Sequence, residues 1–275
     1  MTDSSRQVTW HDVAAETDVP DGGTVSIIPL PEEVKLDAQL AAWSRVAYQC
    51  MPETARKIAA MPDDGNPIPR KVGDPSPIKY VLYVIKENRT YDQVLGDVKG
   101  GNGDPSLCLF PEKVTPNHHA LAREFVLLDN FYVEGEVSAD GHEWTMGAQA
   151  TDFVEKSWPL NYGHNDKKKY DYPAEGHYPV AFPANGYLWN RAAEAGVSYR
   201  SYGEFCNTPK RGPILAEASL PILVGHIDPY YNAWDLNYPD VKRAERFATE
   251  IRRYETEGGM PRLQVVRLGG DHTSG

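Results

Sequence analysis

Residues 80–85 (YVLYVI) form a run of six apolar or aromatic positions rich in β-formers, which predicts a strand buried on both faces. Three further runs carry the same signature. Residues 125–133 (FVLLDNFYV) and 263–268 (LQVVRL) are largely apolar, and 197–202 (VSYRSY) alternates like a half-buried strand. Between them the period changes to that of a helix. Leu36, Leu40, Trp43 and Ala47 recur at helical spacing over 31–50, ahead of Pro52. Val241, Ala244, Phe247, Ile251 and Tyr254 mark an amphipathic helix over 240–257, with Asp240 as N-cap and Gly258-Gly259 ending it. Shorter helices are predicted over 117–124, 142–153 and 186–195. Residues 96–116 and 155–185 are Gly/Pro-rich or irregular.

This β–α–β alternation predicts an α/β fold with a mainly parallel sheet flanked by helices. Residues 1–77 read as a lead-in: a polar start, a short apolar stretch at 23–31 whose prolines suit a sheet margin, one helix, and a Pro-rich linker. Residues 78–275 read as one domain. A chain of 275 residues is long enough for a full-sized core.

The formal net charge of −11 argues against a nucleic-acid or anionic-membrane surface. It leaves phosphoesters open, because a local cation or Arg outweighs the global sign. Cys50, Cys108 and Cys206 are odd in number and widely spaced, so neither a disulfide framework nor a CxxC metal site is expected. No run reaches the 18 or so apolar residues of a membrane span. The first 18 residues lack the basic and apolar regions of a signal peptide, so no export signal is expected in this sequence.

Polar clusters stand at three strand ends, where α/β sheets bind ligands. Lys86–Asp92 follows the first run, Glu134–His142 the second, and 271–273 the last. Parallel strands bring such loops to one edge. Ser138, in VSADGHEW, lies between a strand and a helix, where main-chain N–H groups and the helix dipole stabilise an alkoxide and a transferring phosphoryl group. The plainer reading of a loop Ser is a turn residue or N-cap. Asp140 and His142 stand beside it, and His142 suits loop-fixing as well as substrate contact. Glu87 and Asn88 offer oxygen donors to a divalent cation, and Asp271 and His272 add an oxygen and an imidazole. None of these is at a self-sufficient metal spacing. His118 and His119 reach the same edge or serve as capping and surface residues.

Taken together, KENRTYDQVLGD, TPNHHALAREFVLLDNFYVEGEVSADGHEWTMGAQATDFVEK and PRLQVVRLGGDHTSG resemble the bacterial phosphoesterase family of acid phosphatases and phospholipase C type enzymes. That family belongs to the alkaline phosphatase superfamily, and the likeness is to its propeller-linked branch. The resemblance runs from about Gly23 to the end of the sequence. It implies an alkaline-phosphatase-like core and a divalent metal ion held by Glu87, Asn88 and Ser138, with Asp271 beside it. It further implies that Ser138 is phosphorylated during turnover, that His272 contacts the phosphoryl or leaving group, and that His119 is a further active-site histidine. The substrate it implies is a small phosphoester or a lipid head group, and such proteins often work in the periplasm or outside the cell. The family also places an Asp pair on strands after the DH motif, which these residues do not contain. The expectation is therefore a partial phosphoesterase domain whose C-terminal part is missing. Either it is a metal-dependent hydrolase or it is a catalytically dead remnant serving as a binding module. No sulfatase-type CxPxR signature surrounds Ser138.

Overall fold

A computed structural model describes residues 33–50, 67–69, 74–163 and 171–272. The chain divides into two units, Met1–Lys79 and Tyr80–Gly275. In the first, the expected helix is present as α1, Glu33–Cys50. Its apolar positions Leu40 and Trp43 are exposed. The apolar stretch at 23–31 lies outside the described residues, as does Thr273.

The second unit is built on a small parallel sheet. Its strands are β1 (Val81–Lys86), β2 (Tyr199–Tyr202) and β5 (Leu263–Leu268), in the order β1-β5-β2. Val81 pairs with Leu263 and Lys86 with Leu268, while Tyr199 and Tyr202 pair with Leu263 and Val266. A two-residue antiparallel ladder joins β3 (Cys206–Asn207) to β4 (Glu217–Ala218). The helices are α2 (Tyr91–Leu95), α3 (Pro116–Glu124), α4 (Ser138–Gly147), α5 (Asp152–Tyr162), α6 (Leu188–Glu194) and α7 (Asp240–Glu257). The unit is thus mixed α/β, a parallel sheet flanked by helices.

The central strand is β5, and its period-two alternation sends side chains into two cores. Leu263 and Val265 pack with Met146 of α4, Trp189 of α6, Tyr187 and Phe205. Val266 packs with Tyr202, Tyr231 and Phe247, the last carried by α7. A third cluster gathers Ala139, Val154, Ala174 and Ala181 where α4 and α5 meet.

Three expectations are corrected. First, β1 is not buried on both faces. It is the sheet's edge, and Val81, Leu82 and Val84 are about half exposed. Second, residues 125–133 form no strand, and Phe131 and Tyr132 are 75% and 77% exposed. An apolar run supplies β propensity, but a strand also needs a neighbour to satisfy its main chain, and among the described residues none pairs with it. Third, α7 buries only part of the expected apolar stripe: Phe247 packs against a core and Tyr254 is buried, but charged residues join them. Val241 is 69% exposed, whereas Arg243, Glu250 and Tyr254 are buried. Arg243 goes inside because loop oxygens take up its guanidinium. It donates to Asn232 O and Oδ1, Tyr238 O and Asp235 O at 2.7–3.0 Å, and to Asp240 Oδ1 at 2.9 Å. Pro239, not Asp240, is the N-cap of α7.

The helix expected over 142–153 is two helices. Ala148 takes a left-handed φ of 54° and closes α4, and Thr151 restarts the chain by accepting from Val154 N. Among the described residues no helix is long and apolar enough to cross a membrane.

Candidate active site

The carboxyl end of β1 delivers Glu87, and the first turn of α4 delivers Ser138 and, one turn on, His142. Two local devices fix that turn. Asp140 turns back on the loop: Oδ2 accepts from Glu136 N at 2.9 Å, and Oδ1 accepts from Val137 N and Gly141 N at 2.9 and 3.0 Å. Gly135 then lies against Gly141 so closely that a Cβ there would sit 2.6 Å from Gly141 N. With the loop held this way, the Ser138 hydroxyl donates to Glu87 Oε1. The Glu87–Asn88 peptide is cis.

Behind Ser138 lies a buried network of charges. His142 Nδ1 is 2.8 Å from Glu204 Oε1, and Nε2 is 3.0 Å from Glu87 Oε2. Arg267, on β5, donates through Nη1 to Glu175 Oε2 at 2.6 Å and through Nη2 to Glu87 Oε2 at 3.3 Å. Nη2 also lies 2.9 Å from His142 Nε2. A protonated Nε2 donates to Glu87, whereas an unprotonated one accepts from Arg267. Three carboxylates, Glu87, Glu175 and Glu204, surround the two basic groups and favour the imidazolium. Burial alone pushes His142 toward neutrality, but Glu204 and Glu175 outweigh it and raise the ring to about 10. Burial likewise pushes Glu87 up, and the His142 bond, the His142 and Arg267 charges and the Ser138 bond bring it down to about 2. Arg267 is held in its charged form, since Glu175, Glu204 and Glu87 more than offset its burial.

These groups border a cavity of about 500 Å³. Ser138, Glu87, Glu175 and Arg267 line its polar side, and Tyr162, Tyr172 and Trp234 its aromatic side. The Arg267 guanidinium lies 4.6 Å from the centre of the Trp234 ring, and His272 meets the same ring edge-on at 5.2 Å. Glu175 is held at a left-handed φ of 53°. Its N–H donates to Glu143 Oε1, and Tyr172 donates to its Oε1.

The structure therefore brings Glu87, Ser138 and His142 into contact and sets His272 on the same cavity. It takes other candidates elsewhere. His119 is buried, with Nε2 2.8 Å from Asp97 Oδ1 and Nδ1 against Thr115, which ties α3 to the loop after α2. Asp271 pairs with Lys86. Asn88 is exposed and does not line the cavity. Arg267, Glu175 and Glu204 are the members that sequence reasoning missed. Arg267 left a trace, a charged residue inside the otherwise apolar LQVVRL. Glu175 and Glu204 sit in loops with no spacing signal.

The donors near Ser138 do not by themselves fit a divalent metal. Both Glu87 oxygens are engaged by Ser138, His142 and Arg267, Asn88 is exposed and not in the cavity lining, and Asp271 is paired with Lys86. Among the described residues, no group of three or more His, Cys, Asp or Glu side chains is placed to hold such an ion.

In comparisons with models of protein families, with curated proteins and with solved structures, nothing matches this chain.

Proposed function

We propose that this chain is a phosphoester hydrolase in which Ser138 is the nucleophile, built on an alkaline-phosphatase-like core. The observation that carries the reading is the Ser138 hydroxyl at the first turn of α4, donating to the Glu87 carboxylate beside the Arg267 guanidinium. Support also comes from the resemblance of KENRTYD, VSADGHEW and GGDH to that family.

The chemistry of the residues runs in two steps. Ser138 Oγ, oriented by its bond to Glu87, attacks phosphorus, and its proton passes by way of the Glu87 carboxylate to the departing oxygen beside His272 as the P–O bond to the alcohol breaks. Arg267 and the main-chain N–H groups opening α4 face the charge on the phosphoryl oxygens. Water then attacks the phosphoseryl group, the bond from phosphorus to Ser138 Oγ breaks, a proton of the water passes by the same route to Oγ, and phosphate leaves. The divalent cation that the resemblance implies enters no step here, because the donors do not fit it.

That misfit favours a second reading, a catalytically silent binding module. Its basis is specific: the Glu87 oxygens that would face a metal are saturated by Ser138, His142 and Arg267.

One experiment separates the two. The purified chain is offered an aryl phosphate monoester, a diester and a phospholipid, each with and without Mg²⁺, Mn²⁺, Ca²⁺ or Zn²⁺, and Ser138 is checked by mass spectrometry for phosphate. Turnover that disappears in Ser138→Ala supports the hydrolase. A folded chain with neither turnover on any substrate nor phosphate on Ser138 refutes it and leaves the binding module.

A further inference from the structure

Edge strands in natural proteins are blunted by charge, proline, bulges or brevity. None of these interrupts residues 80–85, and Tyr80, Val81, Leu82, Tyr83 and Val84 are all exposed. Those five side chains alone expose on the order of 400 Å² of surface, as much as the largest patch of a typical monomer, roughly 300–600 Å².

We propose that the edge of β1, unpaired among the described residues, pairs antiparallel with β1 of a second copy of this chain, about a two-fold axis at Tyr83. The main chain fixes which residues are able to pair. Val81 N donates to Arg262 O at 2.7 Å and Glu87 N to Leu268 O at 3.0 Å. With a period of two, residues 81, 83, 85 and 87 turn their N–H and C=O groups toward β5, and residues 80, 82, 84 and 86 turn theirs outward. An antiparallel partner must then match even positions with even positions.

Setting Leu82 opposite Val84 and Tyr80 opposite Lys86 satisfies that parity on both strands. It also places Tyr83 opposite its own copy in a non-hydrogen-bonded pair. The facing side chains are self-complementary. Leu82 meets Val84, Val81 meets Ile85, Tyr83 meets Tyr83, and Lys86 comes over the Tyr80 ring. No like charges face each other, and Lys86 carries its own counter-ion in Asp271. Such a contact is isologous and closes at two copies. It does not depend on the chemistry proposed for Ser138.

The test uses the full chain in analytical ultracentrifugation, with crosslinking to read the register. The expected result is a reversible dimer whose dissociation constant rises by about tenfold or more in Leu82→Lys and in Val84→Lys. In a non-hydrogen-bonded pair the two Cα atoms lie about 4.5 Å apart, within disulfide range. Tyr83→Cys is therefore expected to form a covalent dimer on mild oxidation, above the level of the wild-type cysteines, and Leu82→Cys is not. A monomer at every concentration overturns the proposal. So does open-ended aggregation, or equal crosslinking through positions 82 and 83. If the lysine variants fail to fold, the two cysteine variants still decide the register.

Discussion

Glu143 offers the sharpest test of the electrostatics behind the site. It is fully buried on α4, where Oε2 accepts from the Tyr187 hydroxyl at 2.8 Å and Oε1 from Glu175 N at 3.0 Å. Burial is the main influence, and although those two bonds oppose it, the carboxyl rises from 4.5 to about 7. A raised carboxyl means that the folded chain holds a proton the unfolded chain has lost. Stability from this group is therefore complete below pH 4.5, falls as pH rises, and is gone above about pH 7. The shift corresponds to roughly 3 kcal/mol. Glu143→Gln keeps the shape of the protonated acid, its oxygen accepting from Glu175 N and its amide donating to the Tyr187 oxygen. The variant is expected to match the wild type near pH 4 and to exceed it by roughly 3 kcal/mol at pH 8. In urea, with a slope of about 2 kcal/mol/M, that is a midpoint higher by about 1.5 M at pH 8 alone. Tryptophan fluorescence reads the transition, with the fully buried Trp189 in the same core. An equal difference between variant and wild type at the two pH values would refute the reasoning, whatever its sign.

Three other outcomes are expected. Arg267→Met leaves Glu87, Glu175 and Glu204 with His142 as their one remaining cation, and should cost about 3–5 kcal/mol in urea unfolding at pH 7.5; a loss under 1 kcal/mol would mean that the network is not held by this residue. Phe131→Lys and Tyr132→Lys should each change stability by less than about 0.5 kcal/mol, because both side chains are three-quarters exposed, and a large loss would put them in a core instead. Gly135→Ala forces a Cβ to within 2.6 Å of Gly141 N and should cost about 1–3 kcal/mol by thermal melting, together with any turnover that depends on Ser138; wild-type melting would mean that the loop does not rest on α4.

How much of the fold was legible follows from what periodicity encodes. The run LQVVRL became β5, between β1 and β2, and VSYRSY became β2, paired with β5 and buried along most of its length, as the composition of each suits. YVLYVI became a strand too, yet at an edge: six apolar residues show that a segment tolerates burial, and they carry no information about which strand lies beside it. The same gap explains 125–133, where propensity is high and among the described residues no partner strand pairs with the segment. In α7 the apolar stripe predicted the helix and part of its buried face, Phe247 and Tyr254, but not the charged residues that share it. Arg243 and Glu250 take core positions that Val241 and Ala244 leave, because main-chain oxygens and facing guanidiniums satisfy them there, and hydrophobic spacing does not register such bonds.

The site was legible where residues stand next to a strand end and opaque where they arrive from far along the chain. Glu87 and Ser138 lie 51 positions apart and meet because β1 and the first turn of α4 end side by side. Arg267 reaches Glu87 across 180 positions, by way of the β1–β5 register that sets Ile85 against it. That register decides the chemistry. One residue's slip along β5 would turn Arg267 to the opposite face of the sheet, into the core of Tyr202, Tyr231 and Phe247, and would leave three carboxylates with a single imidazolium. The charged residue in LQVVRL thus works in both directions: the sheet places the guanidinium at the cavity, and the buried acids it neutralises penalise every register but the one observed.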